Sequence, residues 1–212
     1  MNYPALFISA FIVALSGALM PGPLLAVTLG HSPRQGWTFG PLAVVGHGIL
    51  ELGLVSMVFL GAGPLLQATG VQAVVGLAGG IILVWMGKGM YVTARSPAPP
   101  EAAENVNGQG RRAVLLGALT SISNPYWTLW WATVGLAYLT LAAEKGPWGI
   151  VVFFLGHISG DLAWYTVVSA TASRGVSLAD MKLYRVIMVV CSGALVLLGL
   201  WFVLYGAKLV LS

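Results

Sequence analysis

The chain has 212 residues, of which 58% are hydrophobic and only 8% charged, and its mean hydropathy is +0.89. A soluble domain carries about 25% charged residues, so a soluble globular fold is excluded and an integral membrane protein is implied. The net charge of +4 does not point to nucleic acid, because the basic residues fall in loops and not on one soluble face, and the single Cys191 excludes an internal disulfide or a thiol relay.

Spanning helices need about 20 apolar residues each, so six of them with short loops are expected to use up this length, leaving no second soluble domain. The N-terminus, Met1-Asn2-Tyr3-Pro4, has no basic leader region and no clear cleavage site. The first apolar segment is therefore expected to be a retained helix and not a signal peptide. It runs from about Ala5 to Leu29 and is interrupted by Pro21-Gly22-Pro23. A short loop, His31–Gln35, leads to segment two, about Trp37 to Leu60. The turn Gly61-Ala62-Gly63-Pro64 precedes segment three, about Val71 to Val92. The polar stretch that follows is rich in Pro, Glu and Asn and is expected to be a cytoplasmic linker over 94–112. Segment four, about Ala113 to Leu139, is interrupted by Asn124-Pro125. Segment five runs from about Trp148 to Ala172. A loop, Ser173–Tyr184, leads to segment six, about Val186 to Leu211. Glycine supplies 28 residues, roughly twice its average share. The pairs Gly36/Gly40, Gly76/Gly80 and Gly156/Gly160 have the small-xxx-small spacing of close helix contacts.

Orientation follows from the positive charges. Arg34, Lys88, Arg95, Arg111, Arg112, Arg174, Lys182 and Arg185 fall in or beside loops one-two, three-four and five-six; only Lys145 and Lys208 fall on the other side. The positive-inside rule makes the first set cytoplasmic and puts both termini outside.

The two halves match element by element. Each opens with a Pro-broken helix, at Pro21-Gly22-Pro23 or Asn124-Pro125. Each second helix begins at a tryptophan, Trp37 or Trp148, and then carries Gly-His-x-x-x-acid: Gly46-His47 to Glu51, and Gly156-His157 to Asp161. Three helices per half is an odd number, so the second copy must insert upside down. The expected fold is an all-α membrane protein of six transmembrane helices, built as two inverted three-helix repeats (1–93 and 113–212) with broken first and fourth helices. That is the usual plan of a secondary transporter, with its site near the midplane.

Glu51 and Asp161 are the acids that fall deep inside apolar segments. A charge at the bilayer centre costs roughly 2.5–3.5 kcal/mol on the most lenient scale, so two in matching places require a reason. One reading is a buried carboxyl that ties helices together. The other is a carboxyl that loads and releases a proton, or holds a cationic group, as access alternates. His47 and His157 each lie one helical turn from an acid, where they either satisfy it or share its proton. The same four side chains, His47, Glu51, His157 and Asp161, also suit a divalent transition metal. The breaks at Pro21, Gly22, Pro23, Asn124 and Pro125 free backbone amides and carbonyls, which a membrane tolerates only where protein or a cavity covers them. They are either packing kinks or a site for the polar ends of a substrate, with a carboxylate at a half-helix N-terminus. Trp127 and Trp131 share one face after Asn124, and Trp164 and Tyr165 follow His157 and Asp161. These four are candidates for a cavity wall that meets an apolar side chain or an ammonium group.

At these residues the chain resembles the lysine exporter family, the LysE/RhtB-type amino-acid exporters of prokaryotes. The resemblance rests on Pro21-Gly22-Pro23, Asn124-Pro125, Asp161 with Trp164-Tyr165, the polar linker and the overall length. It implies six helices in a cytoplasmic membrane and gradient-driven export of amino acids or related small molecules. The family commonly has Asn after Pro-Gly-Pro and Lys after Asn-Pro; here Leu24 and Tyr126 stand there. Both changes remove polar groups beside the breaks and argue against basic or strongly polar substrates. Relatives in the wider superfamily move divalent metals or pass electrons through thiols. The single cysteine argues against the second, and the His-acid pairs keep the first open.

The expected protein is thus an exporter and not an enzyme, since no nucleophile-base pair or cofactor motif is found. It needs no cofactor. Its partners are a small-molecule substrate, an amino acid by the resemblance, and the lipid bilayer, with no nucleic acid; a homo-oligomer is compatible with the pattern.

Overall fold

The structure is a computed structural model that describes residues 1–95, 109–174 and 178–211. Most of the expected linker, 96–108, lies outside the described residues. Among the described residues the fold is entirely helical.

Helix α1 (Tyr3–Ala18) starts where the Asn2 side chain accepts a hydrogen bond from the Ala5 amide at 3.0 Å, a standard way to satisfy a free N-terminal amide. It cannot continue through Pro21, which has no N–H to donate. Gly22 is extended (φ −132°, ψ 177°), and Pro23 opens α2 (Pro23–Gln35). The two helices are bent by 80°. Gly36, at φ +85°, turns the chain in a left-handed conformation that suits glycine and leads to α3 (Phe39–Met57). The chain kinks within Val58–Ala62, at Gly61 (φ +101°), and continues into α4 (Gly63–Gln67) and α5 (Thr69–Ala94).

The second half begins with α6 (Gln109–Ile122). At the break the Asn124 side chain accepts from the Tyr126 amide at 3.1 Å and starts α7 (Pro125–Trp130). A π-helical turn, Trp131–Gly135, joins it to α8 (Leu136–Ala143). The two long helices α9 (Pro147–Ser173) and α10 (Leu178–Leu211) complete the fold.

Four helical stretches among the described residues are long and apolar enough to cross a membrane: Phe39–Leu65, Thr69–Val92, Pro147–Ser173 and Arg185–Leu211; the bent pair α1–α2 is a fifth where its two helices count as one broken span. The fourth apolar segment of the sequence is divided among α6, α7 and α8, none of which has the length of a span by itself. The Asn124-Pro125 break is the reason. Two expected loops are shorter than the sequence suggested. His31–Gln35 is the end of α2, where His31 Nδ1 lies 2.9 Å from the Val27 carbonyl and the ring stacks on Phe39 at 5.0 Å. Helix α10 begins at Leu178, inside the expected loop 173–184.

Small residues set the packing, since in lipid close approach of backbones replaces the hydrophobic drive of water. Helices α5 and α10 meet through Gly80 and Gly199: a Cβ on either would lie 2.7 Å from the other's carbonyl oxygen. Helix α9 lies on α1, with Gly156 against Phe7 and Gly160 against Phe11. Helix α6 lies on α3, with Gly46 against the Val114 carbonyl and Gly117 against that of Ala43. Gly40 meets α9 at Tyr165, whereas Gly36 has open space around it and serves the turn instead. The resulting pairs are α1 and α2 with α9, α3 with α6, α3 with α9, and α5 with α10. The outer surface is apolar, and Trp37 and Trp148 stand exposed at helix starts, as interfacial tryptophans do.

Candidate functional site

Where α3 crosses α9, the two Gly-His-x-x-x-acid motifs face each other. The one-turn spacing on each helix puts histidine and acid on the same side, and the glycine contacts hold the two helices close enough for the side chains to meet. His47, Glu51, His157 and Asp161 are 7%, 1%, 4% and 3% exposed. His47 Nε2 lies 3.0 Å from Glu51 Oε1 and 3.5 Å from Asp161 Oδ2. His157 Nε2 lies 3.2 Å from Glu51 Oε2 and 3.5 Å from Asp161 Oδ2. One candidate ligand atom from each of the four falls within 4.8 Å of the others.

The broken fourth segment supplies the next layer. Trp127 and Trp131 are one turn apart, and both indole N–H groups donate to Glu51 Oε1, at 3.1 and 2.9 Å. Helix α6 contributes Ser121, whose Oγ lies 2.7 Å from His47 Nδ1 and donates to the Gly117 carbonyl at 2.7 Å. Glu51 Oε2, Asp161 Oδ2 and His157 Nδ1 are buried with no hydrogen-bond partner among the described residues.

This centre borders a cavity of about 50 Å³, also reached by Ser121, Asn124, Trp127 and Tyr165. A second cavity of about 30 Å³ lies beside Pro21, Gly22, Asn124, Tyr126 and Tyr165. The two have Gly17, Leu24, Asn124, Tyr126 and Tyr165 in common. The two helix breaks touch: a Cβ on Gly22 would lie 3.3 Å from Asn124 Nδ2.

Of the residues singled out in the sequence, the four titratable ones, both breaks, Trp127, Trp131 and Tyr165 gather here. Neither Trp131 nor Trp164 lines either cavity: Trp131 reaches the centre only through its bond to Glu51, and Trp164 is half-buried, with its indole nitrogen lacking a hydrogen-bond partner among the described residues. One residue turns a helix by about 100°, and that step separates it from Tyr165. Ser121 and Trp130 were not singled out. Trp130 lies beside His157, ring centroids 5.0 Å apart, and its indole donates to Ser16 Oγ at 3.1 Å. Nothing in the run Thr120-Ser121-Ile122-Ser123 marks which hydroxyl meets His47.

Trp131→Phe removes a buried donor to a carboxylate while keeping a ring in place. Hydrogen bonds to charged groups contribute about 1.5–3 kcal/mol. The melting temperature of the detergent-solubilised variant should fall accordingly. A melting temperature equal to wild type would show that the indole does not hold Glu51.

The family model described as "LysE type translocator" matches residues 15–206. The chain is 25% identical to "Putative amino acid efflux protein YcgF" of Bacillus subtilis (strain 168), across 98% of this chain and 99% of that protein. It is 30% identical to "Chemotactic transduction protein ChpE" of Pseudomonas aeruginosa, across 76% of this chain and 78% of that protein. No solved structure matches. The family match starts within α1 and ends within α10, so it takes in both helix breaks and both His-acid motifs: the chain belongs to the LysE type translocator family, a family of membrane transporters.

Proposed function

We propose that this protein is a secondary exporter that moves amino acids or related small metabolites across the cytoplasmic membrane of a prokaryote, coupled to protons. The observation that carries the reading is the meeting of one intramembrane acid from each half, Glu51 and Asp161, beside two touching helix breaks and a buried cavity. Intramembrane ionisable groups mark substrate and proton pathways. Glu51 and Asp161 act as proton or ammonium sites, and His47 and His157 tune them. The backbone freed at Pro21-Gly22-Pro23 and Asn124-Pro125 holds the polar end of the substrate. Trp127 and Tyr165 form the wall nearest the acids, and Trp131 braces Glu51 through its indole.

The inverted-repeat reading, 1–93 against 113–212 with a cytoplasmic linker over 94–112, is supported by the reciprocal pairing. The first broken helix packs on the second helix of the other half, α9, and α6 packs on α3. The distribution of basic residues supports both termini lying outside. A cavity of about 50 Å³ holds only a few waters, too little for an amino acid, so loading would require the halves to rock apart.

The test is a thermal-stability panel of amino acids on purified protein, paired with counterflow in proteoliposomes. A ligand at 100 times its Kd adds about 2.7 kcal/mol to the folded state. At least one amino acid class should raise the melting temperature, and Asp161→Asn should lose the shift. No shift across the panel, with no counterflow, would overturn the reading.

A further inference from the structure

The hydrogen-bond partners of His47 fix where its proton lies. Ser121 has one hydroxyl proton, and the Gly117 carbonyl takes it at 2.7 Å. The Ser121 oxygen therefore accepts from His47, and the N–H sits on Nδ1, 2.7 Å away. A neutral imidazole with its proton on Nδ1 presents a lone pair at Nε2. That lone pair faces Glu51 Oε1 at 3.0 Å and Asp161 Oδ2 at 3.5 Å, which are also acceptors. Asp161 Oδ2 lies 3.5 Å from both ring Nε2 atoms, too far for a good hydrogen bond to either. Glu51 Oε2 and Asp161 Oδ2 accept no hydrogen bond among the described residues although both are buried. Where His157 likewise carries its proton on Nδ1, its Nε2 lone pair joins those of His47, Glu51 and Asp161 around one point, a setting that a bound cation satisfies.

The spacing says which kind. A tetrahedral site with bonds of about 2.0–2.1 Å has edges of about 3.3–3.4 Å between ligand atoms. With Glu51 Oε2 and Asp161 Oδ2 as the oxygens, the nitrogen-oxygen separations are 3.2, 3.5 and 3.5 Å. Trp127 and Trp131 occupy Glu51 Oε1, which leaves Oε2 as the free oxygen of that carboxylate. Ser121 fixes the His47 tautomer, as outer partners of metal-bound histidines do. Two carboxylates neutralise a dication, so the filled centre carries no net charge into its apolar surroundings.

We infer that His47, Glu51, His157 and Asp161 form a tetrahedral binding site for one divalent transition-metal cation of the Zn²⁺ or Co²⁺ type. The ion is held by both Nε2 atoms and one oxygen of each carboxylate. Ser121, Trp127 and Trp131 position the ligands. Two imidazoles suit these metals, whereas Mg²⁺ and Ca²⁺ require six or more oxygen ligands. The inference does not rest on amino-acid export; it needs only these side chains.

The experiment uses the full chain in detergent, stripped with a chelator and titrated with Co²⁺, then with Zn²⁺. One Co²⁺ should bind per chain, with the strong visible absorption of a tetrahedral site, and Zn²⁺ should displace it. His157→Gln and Asp161→Asn should abolish the absorption while helical circular dichroism is unchanged. Should those variants fail to fold, Ser121→Ala decides, because it leaves every ligand in place: affinity should drop about 10–100-fold with the spectrum retained. The inference is overturned by an absence of stoichiometric Co²⁺, by a weak six-coordinate spectrum, or by wild-type affinity in Ser121→Ala or a folded Asp161→Asn. Counterflow on the same preparation separates the two readings. Amino-acid exchange without metal binding overturns the metal site alone, and metal binding without exchange of any amino acid overturns the export reading alone.

Discussion

Glu51→Gln and Asp161→Asn should each fold, insert and lose proton-coupled export. Both changes keep the shape of the side chain. A glutamine at 51 still offers a carbonyl oxygen to the indoles of Trp127 and Trp131, which now donate to Glu51 Oε1 at 3.1 and 2.9 Å. An asparagine at 161 fits the same space, since Asp161 makes no short hydrogen bond through Oδ2. What disappears is the ability to carry a charge and exchange it. Interactions with charged groups contribute about 1.5–3 kcal/mol each, and 1.4 kcal/mol is a factor of ten. Export in proteoliposomes with an imposed pH gradient should therefore fall by about 10–100-fold for either variant. Melting temperatures should stay near wild type. Wild-type flux from either variant would remove that carboxylate from the coupling mechanism.

The second large effect concerns glycine. Gly46→Ala and Gly117→Ala should both destabilise the protein and displace His47. A Cβ on Gly46 would overlap the Val114 carbonyl, and one on Gly117 would overlap that of Ala43. Both obstacles are backbone, so no side-chain rotation relieves them. Overpacking costs about 1–3 kcal/mol in an adaptable core, and this contact should reach the upper end of that range. Pushing α6 from α3 also separates Ser121 from the residue next to Gly46, whose Nδ1 it meets at 2.7 Å. Gly53→Ala is the control, because Gly53 has nothing within 4 Å. There the better helix propensity of alanine, about 1 kcal/mol, should leave stability unchanged or raised. Equal melting temperatures for Gly46→Ala and Gly53→Ala would sink the argument.

These glycines also explain which parts of the molecule can be read from the chain. The apolar segments, the breaks at Pro21-Gly22-Pro23 and Asn124-Pro125, and the one-turn pairing of histidine with acid are local, and local rules describe them. The meeting of the two pairs is not local. It depends on Gly46 and Gly117 drawing α3 to α6, and on Gly156 and Gly160 seating α9 on α1, and spacing within one helix does not name the partner helix. Gly36 had the right spacing for such a contact yet serves a turn, because its φ of +85° was invisible in the sequence. Ser121 was hidden among neighbouring hydroxyl residues. Trp131 opens a π-helical turn, which no apolar pattern marks, and its hydrogen bond to Glu51 could not be anticipated. Polar His31–Gln35 looked like a loop, but its side chains close hydrogen bonds and a ring stack within and beside α2.

The grip on Glu51 has a consequence for economy. Of its four partners among the described residues, only His47 belongs to the same half of the chain; Trp127, Trp131 and His157 come from the other. Separating the halves takes three of these partners away from a buried carboxylate, and a buried charge without its partners is strongly unfavourable, by about 3–5 kcal/mol. On the exporter reading proposed above, motion would then require a replacement cation at that carboxylate before the seam parts. An empty carrier would be held shut by the partners of Glu51, and the gradient proposed to drive it would not drain through idle cycles.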